Sequence, residues 1–154
     1  MSAGEQAWPD LAGRLIDDAN GRRHVLPVRV YFEDTDFSGL VYHASFVRWC
    51  ERGRSDFLRL LGNDHRRLID GEAGGEPATF VVRRMRFEFL RPARIDEILE
   101  ITTRVKEVGA ASLVLDQRIL RQGRDLCQAE VTVLLLSKSG KVLRLSKLIR
   151  GALT

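Results

Sequence analysis

An α+β fold, one antiparallel sheet packed on a single long central helix, is what this sequence predicts, and three observations predict it. Residues 42–62, YHASFVRWCERGRSDFLRLLG, carry apolar side chains at three- and four-residue spacing. From residue 79 onward the chain alternates apolar and polar positions in runs separated by short turns. Gly53 sits mid-helix on the apolar face, where glycine costs about 1 kcal/mol relative to alanine. A close-packed neighbour explains that cost, and a sheet wrapped on the helix is such a neighbour.

The elements follow in order. Residues 1–13 read as a flexible extension, and 14–154 as one domain. Leu15 and Ile16 form a short apolar pair, Asn20-Gly21 a hairpin turn, and residues 25–32 a strand. An acidic loop with Glu33, Asp34 and Asp36 leads into the helix. There Phe46, Trp49, Cys50, Gly53, Phe57, Leu60 and Leu61 make the buried stripe, widened by Val47 and Leu58. Arg48, Arg52, Ser55 and Arg59 occupy the opposite side, and Gly62-Asn63 stops the helix. After a Gly-rich loop (70–77), residues 79–90 alternate with Val81, Met85, Phe87 and Phe89 on one face. Residues 95–108 put Leu99, Ile101, Thr103 and Val105 on one side; strands over 112–120, 126–138 and 141–145 complete the sheet. There is no internal repeat.

Bulk properties bound the function. The chain has 154 residues, 44% hydrophobic and 30% charged, which suits a globular protein with a real core. No apolar run approaches the roughly 20 residues a membrane helix needs, so no membrane insertion is expected. The start, MSAGEQAWPDLAG, lacks the basic and apolar blocks of a secretory signal. Cys50 and Cys127 lie in apolar-patterned segments and read as reduced, buried thiols of a cytoplasmic protein. The net charge of +4 is mild and dispersed; it fits an anionic small ligand, and without a recognition motif no nucleic-acid partner is expected. His24, His43 and His65 are too far apart for a ligand pair on one helix, and no metal is expected.

The stretch RVYFEDTDFSGLVYHASFVRWCERGRSDFL (29–58) resembles the signature of the hotdog-fold acyl-CoA thioesterases. More narrowly, it resembles the Tol-Pal system-associated branch of the 4-hydroxybenzoyl-CoA thioesterase-like family. FLRPARIDEILEITTRV (89–105) and AEVTVLLLSKSGKVLRL (129–145) extend the likeness over about residues 24–150. The resemblance implies a single hotdog domain, a curved antiparallel sheet around one long helix. It also implies hydrolysis of acyl-CoA to free acid and CoA, with coenzyme A as part of the substrate and no separate cofactor. An acyl carrier protein could present the same thioester. Such domains pair edge to edge as homodimers, often homotetramers, with sites at the subunit boundary.

Carried over residue by residue, the family aspartate falls on Asp36, as general base toward water or as direct nucleophile. Like-charge repulsion from Glu33 and Asp34, with burial, is expected to raise its pKa. The family histidine falls on His43, at the helix start, to orient Asp36 or the carbonyl. Gly39 lets the loop fold back, and Gly39, Val41 and Tyr42 are candidate oxyanion-loop residues. Glu51 is a secondary candidate, since related enzymes use a helix glutamate; an ion pair with Arg48 or Arg54 is the structural alternative. Arg83, Arg84, Arg86 and Arg91 are candidates for CoA phosphates or for a solvated strand face. Many members have tyrosine where this chain has Phe32, so that hydroxyl is not carried over. The departure also admits a non-catalytic scaffold tied to an envelope or lipid-synthesis complex.

Overall fold

A computed structural model describes residues 13–62, 71, 76–145, 150–151 and 153. The predicted extension lies outside these residues except for Gly13, as does His65. Strands β1 (Arg14–Asp18) and β2 (Gly21–Arg29) form the first hairpin, closed where Asp18 pairs with Gly21. Gly21 has φ +98°, which any side chain would resist. The Asp18 carboxylate accepts from the Asn20 N–H at 2.8 Å, bracing the turn.

Strand β2 ends at Arg29, short of the predicted Phe32. The Asp34 carboxylate accepts from the Tyr31 N–H at 2.8 Å, and the Asp34 N–H donates to the Tyr31 carbonyl at 3.0 Å. These local bonds wind Phe32–Asp34 into one 3₁₀ turn. Tyr31 and Phe32 therefore do not alternate across a strand; both are exposed.

Helix α1 spans His43–Leu60 and buries Phe46, Trp49, Cys50, Gly53, Phe57 and Leu58. A Cβ on Gly53 would lie 2.8 Å from Ile101 Cγ2, 3.2 Å from Thr103 Oγ1 and 3.4 Å from Gln117 Nε2. The predicted neighbour of the glycine is thus the centre of the sheet. The helix is joined by β3 (Ala78–Phe89), β4 (Ile98–Val108), β5 (Ser112–Arg121), β6 (Arg124–Ser137) and β7 (Val142–Leu143). The sheet is antiparallel, in the order β1-β2-β4-β5-β6-β3, with β7 on β6. Leu99, Ile101, Leu113, Leu115, Ile119 and Val131 are fully buried in the core with the helix residues Trp49 and Phe57. Each such side chain contributes about 1.5–3 kcal/mol by leaving water. Among the described residues, no helix is long and apolar enough to cross a membrane.

One facing prediction is corrected. A bulge between Val82 and Arg84 inserts an extra residue in β3, so Val82 pairs with Val133 and Met85 with Val131. Cross-strand partners share a face, which puts Val82, not Val81, with Met85, Phe87 and Phe89. This strand closes one end of the sheet order. Although they face inward, Val82, Met85 and Phe89 remain 40%, 42% and 48% exposed.

Candidate active site

The acidic loop is a small closed hairpin. Thr35 bridges Val41, and Leu40 bridges Arg94. Within it, the Asp36 N–H donates to the Leu40 carbonyl at 3.1 Å and the Gly39 N–H to the Asp36 carbonyl at 3.0 Å. Gly39 has φ +78°, as its predicted role in folding the loop back requires. The Val41 N–H donates to Ala93 in the β3–β4 connection at 2.9 Å, and the Tyr42 N–H to Asp34 at 2.8 Å. Ser45 Oγ donates to the Asp34 carbonyl at 3.2 Å, fastening the loop to the first turn of α1. The loop is held between the sheet and the helix start, with Val41 buried and Asp36, Phe37 and Ser38 exposed at its tip.

Asp36 is exposed on that loop, so the expected burial is absent. The Ser38 hydroxyl and the Ser38 N–H both donate to its Oδ1, the latter at 2.8 Å. These bonds, the hydroxyl first, with a smaller contribution from the positive charge of His43, hold the carboxyl below its ordinary value. The sequence expectation was a raised pKa, and it is reversed. Hydrogen bonds to the charged form outweigh the opposing effect of desolvation, and the Asp34 carboxylate is engaged by the Tyr31 N–H.

His43 is the first residue of α1 and is exposed. Its ring lies 4.4 Å from that of Tyr42 and 6.0 Å from that of Phe89. The N–H groups of Val41 and Tyr42 are already engaged, so neither is free for an oxyanion. Those of His43 and Ala44, in the first helical turn, have no donor role in the described hydrogen bonds. The helix dipole favours an anion there.

Glu51 is exposed on α1, about 12 Å further along the axis than His43 at the usual helical rise. Its expected ion pair is not formed among the described residues. Arg54 instead turns inward and donates to Gln117 Oε1 at 3.0 Å. Gln117 Nε2 in turn donates to the Cys50 carbonyl at 2.8 Å and to Thr103 Oγ1 at 2.9 Å. Burial pushes both cysteine thiols up to about 12, so neither is a nucleophile near neutral pH. Arg83, Arg84 and Arg86 are exposed, and Arg86 shares a mixed-charge surface with Lys106, Asp116, Arg118 and Glu130. Arg91 donates to the Asp125 carbonyl. Among the described residues no group of three His, Cys, Asp or Glu side chains is placed to hold a metal ion.

Two features escaped sequence reasoning. Ser38 is the main partner of Asp36, and its place two residues on is the spacing of an Asx turn, so a signal existed. The proximity of Phe89 to His43 depends on tertiary packing and left none.

The Thioesterase superfamily profile matches residues 38–128. The chain is 44% identical over 108 residues to the acyl-CoA thioester hydrolase YbgC of Escherichia coli O6:H1, covering 70% of this chain and 77% of that one. It is 36% identical over 107 residues to the acyl-CoA thioesterase YbgC of Haemophilus influenzae, covering 70% and 76% respectively. A crystal structure of a probable thioesterase from Bartonella henselae superposes with a TM-score of 0.77 at 44% identity, over 80% of this chain and 99% of that one.

Proposed function

The chain belongs to the Thioesterase superfamily and is a thioester hydrolase, and from that premise we propose that it cleaves acyl-CoA to free acid and CoA at Asp36. The observation that carries this reading is an ionised, exposed Asp36 on a loop fastened to the first turn of the helix that His43 begins. A carboxylate there either takes a proton from water attacking the thioester carbon, or attacks that carbon itself to give an anhydride that water then opens. The developing oxyanion would be met by the N–H groups of His43 and Ala44, with the imidazole of His43 orienting the carbonyl or Asp36. Free carboxylate and CoA thiol leave, and no cofactor is required.

Several finer assignments belong to the same proposal. The EDTD and VYH segments support the Tol-Pal-associated branch. The two free, buried cysteines support the cytoplasm. An acyl carrier protein is an alternative carrier of the thioester. The half-exposed inner face of β3 at the sheet edge supports a homodimer, or a tetramer built from it, in which a second copy lies beside the site. Thiol release from a panel of acyl-CoAs tests the activity. Asp36→Asn is expected to fold normally and to lower kcat by about 10² or more; near-normal turnover in that variant would remove Asp36 from the chemistry.

A further inference from the structure

Beside His43 the protein presents a shelf of aromatic rings built from two separate elements. Phe89 at the end of β3 lies 6.0 Å from His43 in an edge-on geometry and 6.0 Å from Phe46. Phe87 stacks with Phe89 at 6.0 Å and an interplanar angle of 13°. Phe46 meets Trp49 edge-on at 5.6 Å. Behind the shelf, Phe46, Trp49 and Cys50 are buried in the core. An acyl chain attached to a carbonyl at His43 meets the exposed rings beside it. Two exposed rings flank His43, Tyr42 at 47% and Phe89 at 48%, and Phe89 is the one held by Phe87 and Phe46.

We infer that Phe89 is a specificity-determining residue that selects acyl groups carrying a flat ring close to the thioester. The inference rests on the hydrolase reading of the same site. Two physical facts carry it. Offset and edge-on ring pairs gain energy beyond buried area because the negative face of one ring meets the positive edge of another. A puckered saturated ring has the same bulk and lacks that quadrupole. Phe89 is also braced by Phe87 and Phe46, so the surface it offers is pre-set and little ordering is needed on binding.

The matched pair that isolates this effect is phenylacetyl-CoA against cyclohexylacetyl-CoA, whose carbonyls are similarly reactive. In the wild-type protein kcat/KM is expected to favour the phenyl substrate about three- to tenfold, the range that ring–ring contacts supply. In Phe89→Leu the ratio is expected to fall toward one, and in Phe89→Tyr to be kept. Dissociation constants for the two matching thioethers should follow the same pattern, a readout that loss of fold would not produce. A ratio unmoved by Phe89→Leu in a protein with an unchanged thermal midpoint overturns the inference and leaves the hydrolase reading standing. No thiol release by the wild type from any acyl-CoA overturns that reading, and this inference with it.

Discussion

Ser38 grips Asp36 twice, since its N–H and its hydroxyl both donate to the same carboxylate oxygen. Both bonds favour the charged form, and the hydroxyl is the largest cause of the lowered pKa. Removing it in Ser38→Ala raises the pKa, so at a given acidic pH a smaller fraction of Asp36 is ionised. The acid limb of the kcat/KM profile is expected to move to higher pH, with the rate on the neutral plateau changed much less. Matched pH–rate profiles of the two proteins, monitored by free thiol, check this. A limb that stays in place would mean that a group other than Asp36 sets it.

Gly53→Ala should destabilise the protein, although the same change in an exposed helix stabilises it. The gain in helix propensity is about 1 kcal/mol. Against it, the new Cβ would meet Ile101 Cγ2 at 2.8 Å with Thr103 and Gln117 close behind, and overpacking of a filled core costs about 1–3 kcal/mol. Thr103 and Gln117 also share a buried hydrogen bond that cannot shift freely. A net loss of up to about 2 kcal/mol, read as a lower urea midpoint with unchanged m-value, is expected.

That helix position also shows what the sequence made legible. The 3.6-residue stripe fixed which side of α1 faces in, and the buried glycine announced a close neighbour before the sheet was known. Strand alternation located the β-elements within a few residues. It failed at β3, because a bulge breaks the period of two and period is all that alternation can read. Asp36, Gly39 and His43 were named from a motif, yet the sign of the shift at Asp36 was missed. Counting neighbouring charges along the chain says nothing about where their oxygens point, and Asp34 points at Tyr31 N–H. Arg54 was misread for the same reason: helical spacing allowed a pair with Glu51, but burial and Gln117 drew the guanidinium inward.

Asp56 ties the first hairpin to the helix. Its Oδ2 accepts from the Gly13 N–H and meets His24 Nε2, each at 2.6 Å, and Oδ1 accepts from Arg59. Burial alone would raise its pKa, but these bonds together lower it. His24 is fully buried, its Nδ1 has no partner, and its polar contact is the one its Nε2 makes to Asp56. Asp56→Ala leaves Nε2–H and Gly13 N–H without their acceptor, at an expected cost of about 2–4 kcal/mol. Because the folded pKa is depressed, the contribution of Asp56 is fully present above the unfolded value near about 3.9 and is lost as pH falls through the folded one. The stability gap between wild type and variant, from urea melts across pH, should therefore be constant above about pH 5 and narrow in acid.

Met85 tests how the open side of the sheet is used. It lies in β3, at the end of the strand order, and its side chain points to the inner face yet stays 42% exposed, as does Val82 at 40%. A strand of twelve residues with an unpaired edge and an apolar inner face invites pairing with a second copy. In a two-fold dimer each substitution is present twice, so its effect on association counts twice. Met85→Lys would bring two ammonium groups into the pairing region, with a desolvation cost and mutual repulsion. Its effect within one chain is small, because a half-exposed lysine can reach water. The expected result is a folded monomer by sedimentation velocity at a concentration where the proposed wild-type dimer forms, with dissociation strengthened at least about 100-fold. Activity should fall with the dimer fraction and recover as protein concentration rises, because Phe87 and Phe89 of the aromatic shelf lie on the same strand. Dimers undiminished in Met85→Lys would show that β3 is not the surface through which the copies pair.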